Sequence, residues 1–164
     1  MSKKGFTLVE ILIVVVILGI LAAIVIPQFT SASESAKASS LQSQLQTIRS
    51  QLELYQVQHN GNYPTIASLQ TGDPDEWTQL VTQTDVTGAA GTDFGPYLQK
   101  PPTNPFTNDV NVAADNSADW VYTEATGVIK AVIPSGKWSD LEELGLGTAA
   151  DEGNASNADY VKGP

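Results

Sequence analysis

Glu10 is the one ionisable side chain in residues 6–26, FTLVEILIVVVILGILAAIVI. A carboxylate near the centre of an apolar span costs about 2.5–3.5 kcal/mol on insertion scales, less near an interface. Its presence therefore asks for a task, and the simplest is to neutralise a nearby amine. A second group, Asp109, Asp115, Asn116 and Asp119, lies within one short stretch. Calcium takes several oxygen ligands from a flexible loop, so these four are a candidate calcium site. Their spacing is not that of an EF-hand, and the same residues suit a solvated acidic loop. Asp140, Glu142, Glu143, Asp151 and Glu152 are weaker candidates for the same ion.

Other chemistries find no support. There is no cysteine, which removes disulfides, thiolate metal sites and cysteine nucleophiles. The single histidine, His59, leaves little for a zinc site or a Ser-His-Asp triad. Carboxylate pairs occur without a glycosidase or protease pattern around them, and no glycine-rich loop is present to cradle a phosphate. The sequence reads as that of a non-enzyme. Its formal net charge is −10, which repels nucleic-acid phosphates and argues against a DNA or RNA partner. An acidic surface of this kind serves solubility.

The elements that hold Glu10 are plain. At ~1.5 Å per residue, a helix over 6–26 is roughly 32 Å long, enough to cross a bilayer core. Lys3 and Lys4 precede it, so the positive-inside rule places the N-terminus in the cytoplasm and the residues after Pro27 outside. Three readings fit an apolar N-terminal run. One is a simple single-pass anchor. Another is a secretory signal cut near Ser31-Ala32-Ser33, but its apolar region would exceed the usual ~7–15 residues and contain a glutamate. The third is a short leader cut between Gly5 and Phe6. That cut would put a new amine on Phe6, about one helical turn from Glu10, within a subunit or between neighbours. Gly19 and Ala23, four apart, let helices approach closely in an apolar medium, and Gly19 and Pro27 weaken the helix between them.

Lys4-Gly5-Phe6-Thr7-Leu8-Val9-Glu10 resembles the prepilin signature of type IV pilins and type II secretion pseudopilins, and Pro27 falls where that family carries a helix-kinking proline. The resemblance covers residues 1–30. It implies that a prepilin peptidase cuts after Gly5 and methylates the Phe6 amine. It also implies that Glu10 pairs with the Phe6 amine of an adjacent subunit during assembly, and that helicity between Gly19 and Pro27 can be lost in the filament. The expected partners are other copies of the chain, the peptidase, an inner-membrane assembly platform and minor pilins or pseudopilins. The expected location is the inner membrane, crossed once, with a periplasmic or extracytoplasmic head. Calcium sites in the C-terminal loops of major pseudopilins give the aspartate group added interest, although its ligands do not align residue by residue.

Beyond the membrane the chain keeps a helical period. Leu41, Leu45, Ile48, Leu52 and Tyr55 form one stripe on a helix running to about Gln58, with Asn60-Gly61 as its stop. His59 belongs to that helix end. Residues 59–65, HNGNYPT, and 95–106, GPYLQKPPTNPF, resemble loops of pseudopilin-like proteins. Residues 75–81 suggest a short helix with Trp77 and Leu80 inward. Residues 119–133 hold the clearest strand signal, two runs flanking a Thr-Gly turn that predict an antiparallel hairpin on the helix stripe.

The expected fold is α+β: a long N-terminal helix, transmembrane in its first half, packed on a small antiparallel β-sheet. The expected divisions are a leader at 1–5, a transmembrane and assembly helix at 6–27, a pilin-like globular domain at 28–146 and a mobile tail at 147–164. The expected function is a structural filament subunit, and two alternatives stand beside it. The two loops lean toward the major pseudopilin of type II secretion. A type IV pilus major pilin is the close rival, weakened by the missing C-terminal disulfide. A non-polymerising, membrane-tethered binding module is the reading from another class.

Overall fold

An apolar medium offers no hydrogen bonds, so a backbone entering it must satisfy its own polar groups, and a helix does this. In the computed structural model, which describes residues 5–70, 77–139 and 159–164, helix α1 runs Leu8–Gln58. The chain divides into two units, Met1–Ala36 and Lys37–Pro164. In the first, Leu8–Ile26 is long and apolar enough to cross a membrane, and none of it is buried by the rest of the chain. The helix continues through Gly19 and position 27. Proline has no N–H, so the carbonyl of Ala23 loses its usual i+4 donor there.

In the second unit, α1 presents the predicted stripe. Leu41, Leu45, Ile48, Leu52 and Tyr55 are all buried, and Ala38 extends the stripe by one turn. Their 4-3-4-3 spacing places them on one face, which the sheet and the loops cover. Asn60 and Gly61, both at positive φ, end the helix, and the Gly61 N–H donates to the Gln56 carbonyl at 2.9 Å.

Two short helices follow, α2 (Ile66–Gln70) and α3 (Thr78–Val81). The latter begins at Thr78, with Trp77 and Leu80 buried as expected, while residues 75 and 76 lie outside the described set. Four strands then form one sheet in the order β1-β2-β3-β4: β1 Val112–Ala113, β2 Trp120–Thr123, β3 Val128–Ile133 and β4 Tyr160–Lys162. The predicted hairpin is β2–β3, antiparallel, with Trp120 opposite Ala131 and Thr123 opposite Val128. Gly127 closes it at φ +65°, where an added Cβ would run into the ring of Tyr63.

The fold is the expected α+β arrangement, but the sheet is mixed and not wholly antiparallel. β1 pairs parallel to β2, and β4 parallel to β3. β1 is only two residues long, so a short loop suffices to bring the chain beside it. β4 returns after residues 134–159, a connection long enough for a parallel partner. The assignment of 147–164 to a mobile tail needs the same correction at its end. Tyr160 is buried, Asp159 pairs with Arg49 at 2.9 Å, and the Gly163 N–H donates to the Ile133 carbonyl at 2.8 Å. Residues 147–158 lie outside the described set.

Loop 95–106 is tied into this core by Asn104, which is fully buried. Its Nδ2 donates to the carbonyls of Asp119 (2.9 Å) and Val132 (2.8 Å), and its Oδ1 accepts from the Phe106 N–H (3.0 Å). Trp120 Nε1 donates to the Pro102 carbonyl at 3.0 Å. A proline-rich loop, which lacks several backbone donors, is thereby held by side chains.

Candidate functional site

Residues 5–7 lead into α1, and with Leu8, Val9 and Glu10 they hold the candidate processing and assembly residues. Thr7 is the helix cap. Its N–H and its hydroxyl both donate to Glu10 Oε2, at 2.8 and 2.7 Å, and the Glu10 N–H donates back to Thr7 Oγ1 at 3.3 Å. This is a capping box: two orphan donors of the first turn are satisfied reciprocally. Glu10 thus acts as a cap as well as a charge, a role signalled in the sequence by Thr-x-x-Glu before an apolar run and absent from the expectations above. The cap turns the carboxylate back along the chain, toward the residue that follows Phe6. Phe6 is 84% exposed. Gly5 is exposed too, its φ is not in the left-handed region, and a Cβ added to it would meet nothing within 4 Å. Nothing in the fold itself requires glycine at position 5.

The aspartate group does not converge. Asp109 Oδ1 accepts from the N–H of Val110 at 2.9 Å, and Asp115 Oδ1 from that of Ser117 at 3.0 Å. Asn116 Nδ2 donates to the Lys162 carbonyl at 2.9 Å, and Asp119 Oδ2 accepts from the Asn111 N–H at 3.2 Å. Asp109 and Asp115 hold N–H groups one and two residues ahead, Asp119 one eight residues back, and Asn116 a carbonyl on β4. Among the described residues no three acidic or histidine side chains gather where a metal could sit. This donor set does not fit a calcium cage.

His59 is a core residue. It stacks on Tyr55 with ring centroids 3.6 Å apart. Its Nδ1 lies 2.8 Å from the Tyr55 carbonyl and its Nε2 2.9 Å from Thr84 Oγ1. A carbonyl only accepts, so Nδ1 carries the proton and Nε2 accepts from the threonine.

These features have counterparts in known proteins. Residues 1–26 match the family described as the prokaryotic N-terminal methylation motif. The type II secretion system core protein G of Vibrio cholerae is 29% identical over 160 residues, covering 97% of this chain and 96% of that protein. The protein of the same name from Pseudomonas aeruginosa is 44% identical over 64 residues, covering 39% of this chain and 44% of its own length. Competence protein ComGC of Bacillus subtilis is 35% identical over 71 residues, covering 43% of this chain and 72% of that protein. No solved structure is significantly similar to the chain. A capped apolar helix with its methylation motif, a head of pilin-like α+β fold, one relative matched over most of both chains and a second matched over 72% of its own length agree with one another: this chain belongs to the type IV pilin-like family, among its pseudopilin-type members.

Proposed function

We propose that this chain is the major pseudopilin of a type II secretion system. It is cut between Gly5 and Phe6, methylated on the Phe6 amine and polymerised through α1 from the inner membrane. The observation that carries the choice of filament is the breadth of the Vibrio relative. That likeness extends through the head, over 160 residues, whereas the competence relative matches over 71. The head lies beyond the shared N-terminal motif at residues 1–26, so likeness there bears more on which filament is built.

Physical arguments support the rest. An apolar span leaving lipid needs another apolar environment, and the matching spans of other copies supply one. Leu8–Ile26 is unburied within its own chain and so has its whole surface available for that contact. Glycine at position 5, with no demand from the fold, suits a peptidase that needs a side-chain-free residue at the cut. Glu10 sits one turn from the amine the cut creates. The cytoplasmic N-terminus follows from Lys3 and Lys4. The prepilin peptidase and an inner-membrane platform are the partners this route requires.

Mass spectrometry of the mature chain tests the processing step. The expected N-terminus is methylated Phe6, and a chain starting at Met1 or Glu34 would sink it. Deleting the gene in its host separates the filaments: loss of protein secretion is expected, and loss of DNA uptake or of long surface pili with secretion intact refutes the type II assignment.

A further inference from the structure

Two-electron oxidants attack the thiols and thioethers of a protein first. The electron-rich rings of tryptophan, histidine and tyrosine come next. This chain has no cysteine, and its one methionine is Met1, ahead of the proposed cut. Residues 6–164 therefore hold no sulfur. Methionine is a ready filler of irregular gaps in a core, yet the core here is filled by leucine, isoleucine, valine, alanine and aromatic rings.

The oxidisable rings are three tryptophans, one histidine and five tyrosines, and all lie among the described residues. Trp77, Trp120 and Trp138 are buried. So is His59, with both ring nitrogens hydrogen-bonded and one face stacked on Tyr55. Tyr55, Tyr122 and Tyr160 are buried as well. Tyr97, at 9% the most open of these four tyrosines, donates its hydroxyl to Gln58 Oε1 at 2.5 Å. Burial pushes all four phenols up, which withholds the phenolate that electrophiles attack fastest. Tyr63 alone is half-buried. It lines a cleft of about 550 Å³ with Asn62, Thr65 and Glu124, and the Cδ1, Cε1 and Cζ side of its ring rests on Gly127. Cε2, the other carbon ortho to its hydroxyl, lies away from that contact.

We propose that the processed chain is built to endure two-electron oxidants, hydrogen peroxide and hypochlorous acid among them, and leaves the Tyr63 ring as its one accessible oxidisable target. Hydrogen peroxide hands one oxygen atom to a thioether and leaves as water, and residues 6–164 offer it no thioether. Hypochlorous acid puts chlorine on the ring carbon ortho to a phenol oxygen, and the displaced proton leaves with the hydroxide as water. At Tyr63 the carbon away from Gly127 is Cε2. The benefit follows from the proposed location. A head outside the cytoplasm is beyond the cytosolic thiols that keep cysteine reduced, and a disulfide or a sulfoxide formed in one copy would persist in the polymer. The inference rests on the processing reading for the loss of Met1 alone, and the burial of the rings stands without it.

The chain purified from its host in detergent is treated with each oxidant and mapped by peptide mass spectrometry. With hydrogen peroxide, residues 6–164 should gain no oxygen. Leu54→Met, a swap of similar volume at an exposed position, should gain one oxygen and so shows that the reagent arrives. Oxygen on residues 6–164 of the unsubstituted chain overturns the proposal. A Met1 peptide carrying oxygen refutes the cut instead, and the ring ranking is then judged by its own peptides. Hypochlorous acid is added below one equivalent, followed by thiosulfate to strip chlorine from lysine amines. Chlorine should appear on Tyr63 at least ~tenfold faster than any tryptophan, His59 or the other tyrosines react, because buried rings react only through local opening. Tyr63→Phe should remove that product, and unfolding in sodium dodecyl sulfate should level the rates. A tryptophan or His59 modified as fast as Tyr63 in the folded chain, or a ranking unchanged on unfolding, overturns the proposal.

Discussion

Asn104→Ala should cost the head more than any surface change and much more than its polar type suggests. The side chain makes three hydrogen bonds in a fully buried position. Truncation removes all three and leaves partners behind. The Asp119 carbonyl keeps a second donor, the Val132 N–H at 2.9 Å, so its loss is small. The Phe106 N–H and the Val132 carbonyl lose the partners described here. Stranding a buried donor or acceptor costs about 1–3 kcal/mol each. With the small void added, the expected loss is about 3–4 kcal/mol. Asn104→Asp separates hydrogen bonding from volume. It is nearly the same size and keeps an acceptor for Phe106, yet it aims a carboxylate at two carbonyl oxygens. It should be at least as damaging as alanine. The assay is denaturant unfolding of the full chain in detergent, followed by tryptophan fluorescence, since Trp77 and Trp120 pack edge to face in the core at 6.3 Å. A loss below about 1 kcal/mol for both variants, with the unfolding slope unchanged, would refute the view that Asn104 fastens loop 95–106 to the sheet.

Three further outcomes follow from the packing. Burial, with Tyr97 and Asp85 nearby, pushes the Tyr55 hydroxyl up to about 12, and burial pushes Tyr122 up as well. An ordinary tyrosine ionises near ~10. The folded state therefore favours the protonated phenol, and this contribution is complete below pH ~10 and lost as pH rises toward about 12. Denaturant midpoints should fall across that window, and absorbance at 295 nm should show these phenols ionising only with unfolding. Gly127→Ala should cost about 1–3 kcal/mol, more than Gly61→Ala, because both sit at positive φ but only at Gly127 would the methyl strike a ring; equal losses by thermal unfolding would contradict this. Leu45→Ala, at a fully buried stripe position, should cost about 2–5 kcal/mol in the same assay.

The parts of this fold that the sequence discloses are those with a repeated signal. The stripe from Leu41 to Tyr55 repeats over four intervals, and each repeat constrains the same face. The β2–β3 hairpin combines aromatic and branched residues with a glycine that its turn conformation needs. β1 and β4 carry no such repetition. Two or three residues cannot show a period, and their parallel direction depends on where a distant stretch returns. Tyr160 and Asp159 gain meaning only beside the core and Arg49.

Residue type misleads in a different way at the aspartates and at Glu10. Asp109 and Asp115 bind N–H groups one and two residues ahead, and Asp119 one eight residues back. That is what aspartate does in turns, and it aims each carboxylate at its own backbone contact instead of at one shared point where a cation could sit. Type and proximity are shared by both roles, so only geometry separates them. Glu10 combines two roles instead of choosing between them. Its Oε2 already caps α1 through Thr7, and the proposed pairing with a Phe6 amine asks for the same carboxylate. A carboxylate has two oxygens and about four acceptor sites, so the cap does not consume it. The cap fixes its direction before any partner arrives, which lowers the ordering cost of the contact that follows. Glu10 is thus held in place by the residue next to the one it is proposed to neutralise, and the motif's spacing follows from the helix turn that makes both contacts possible.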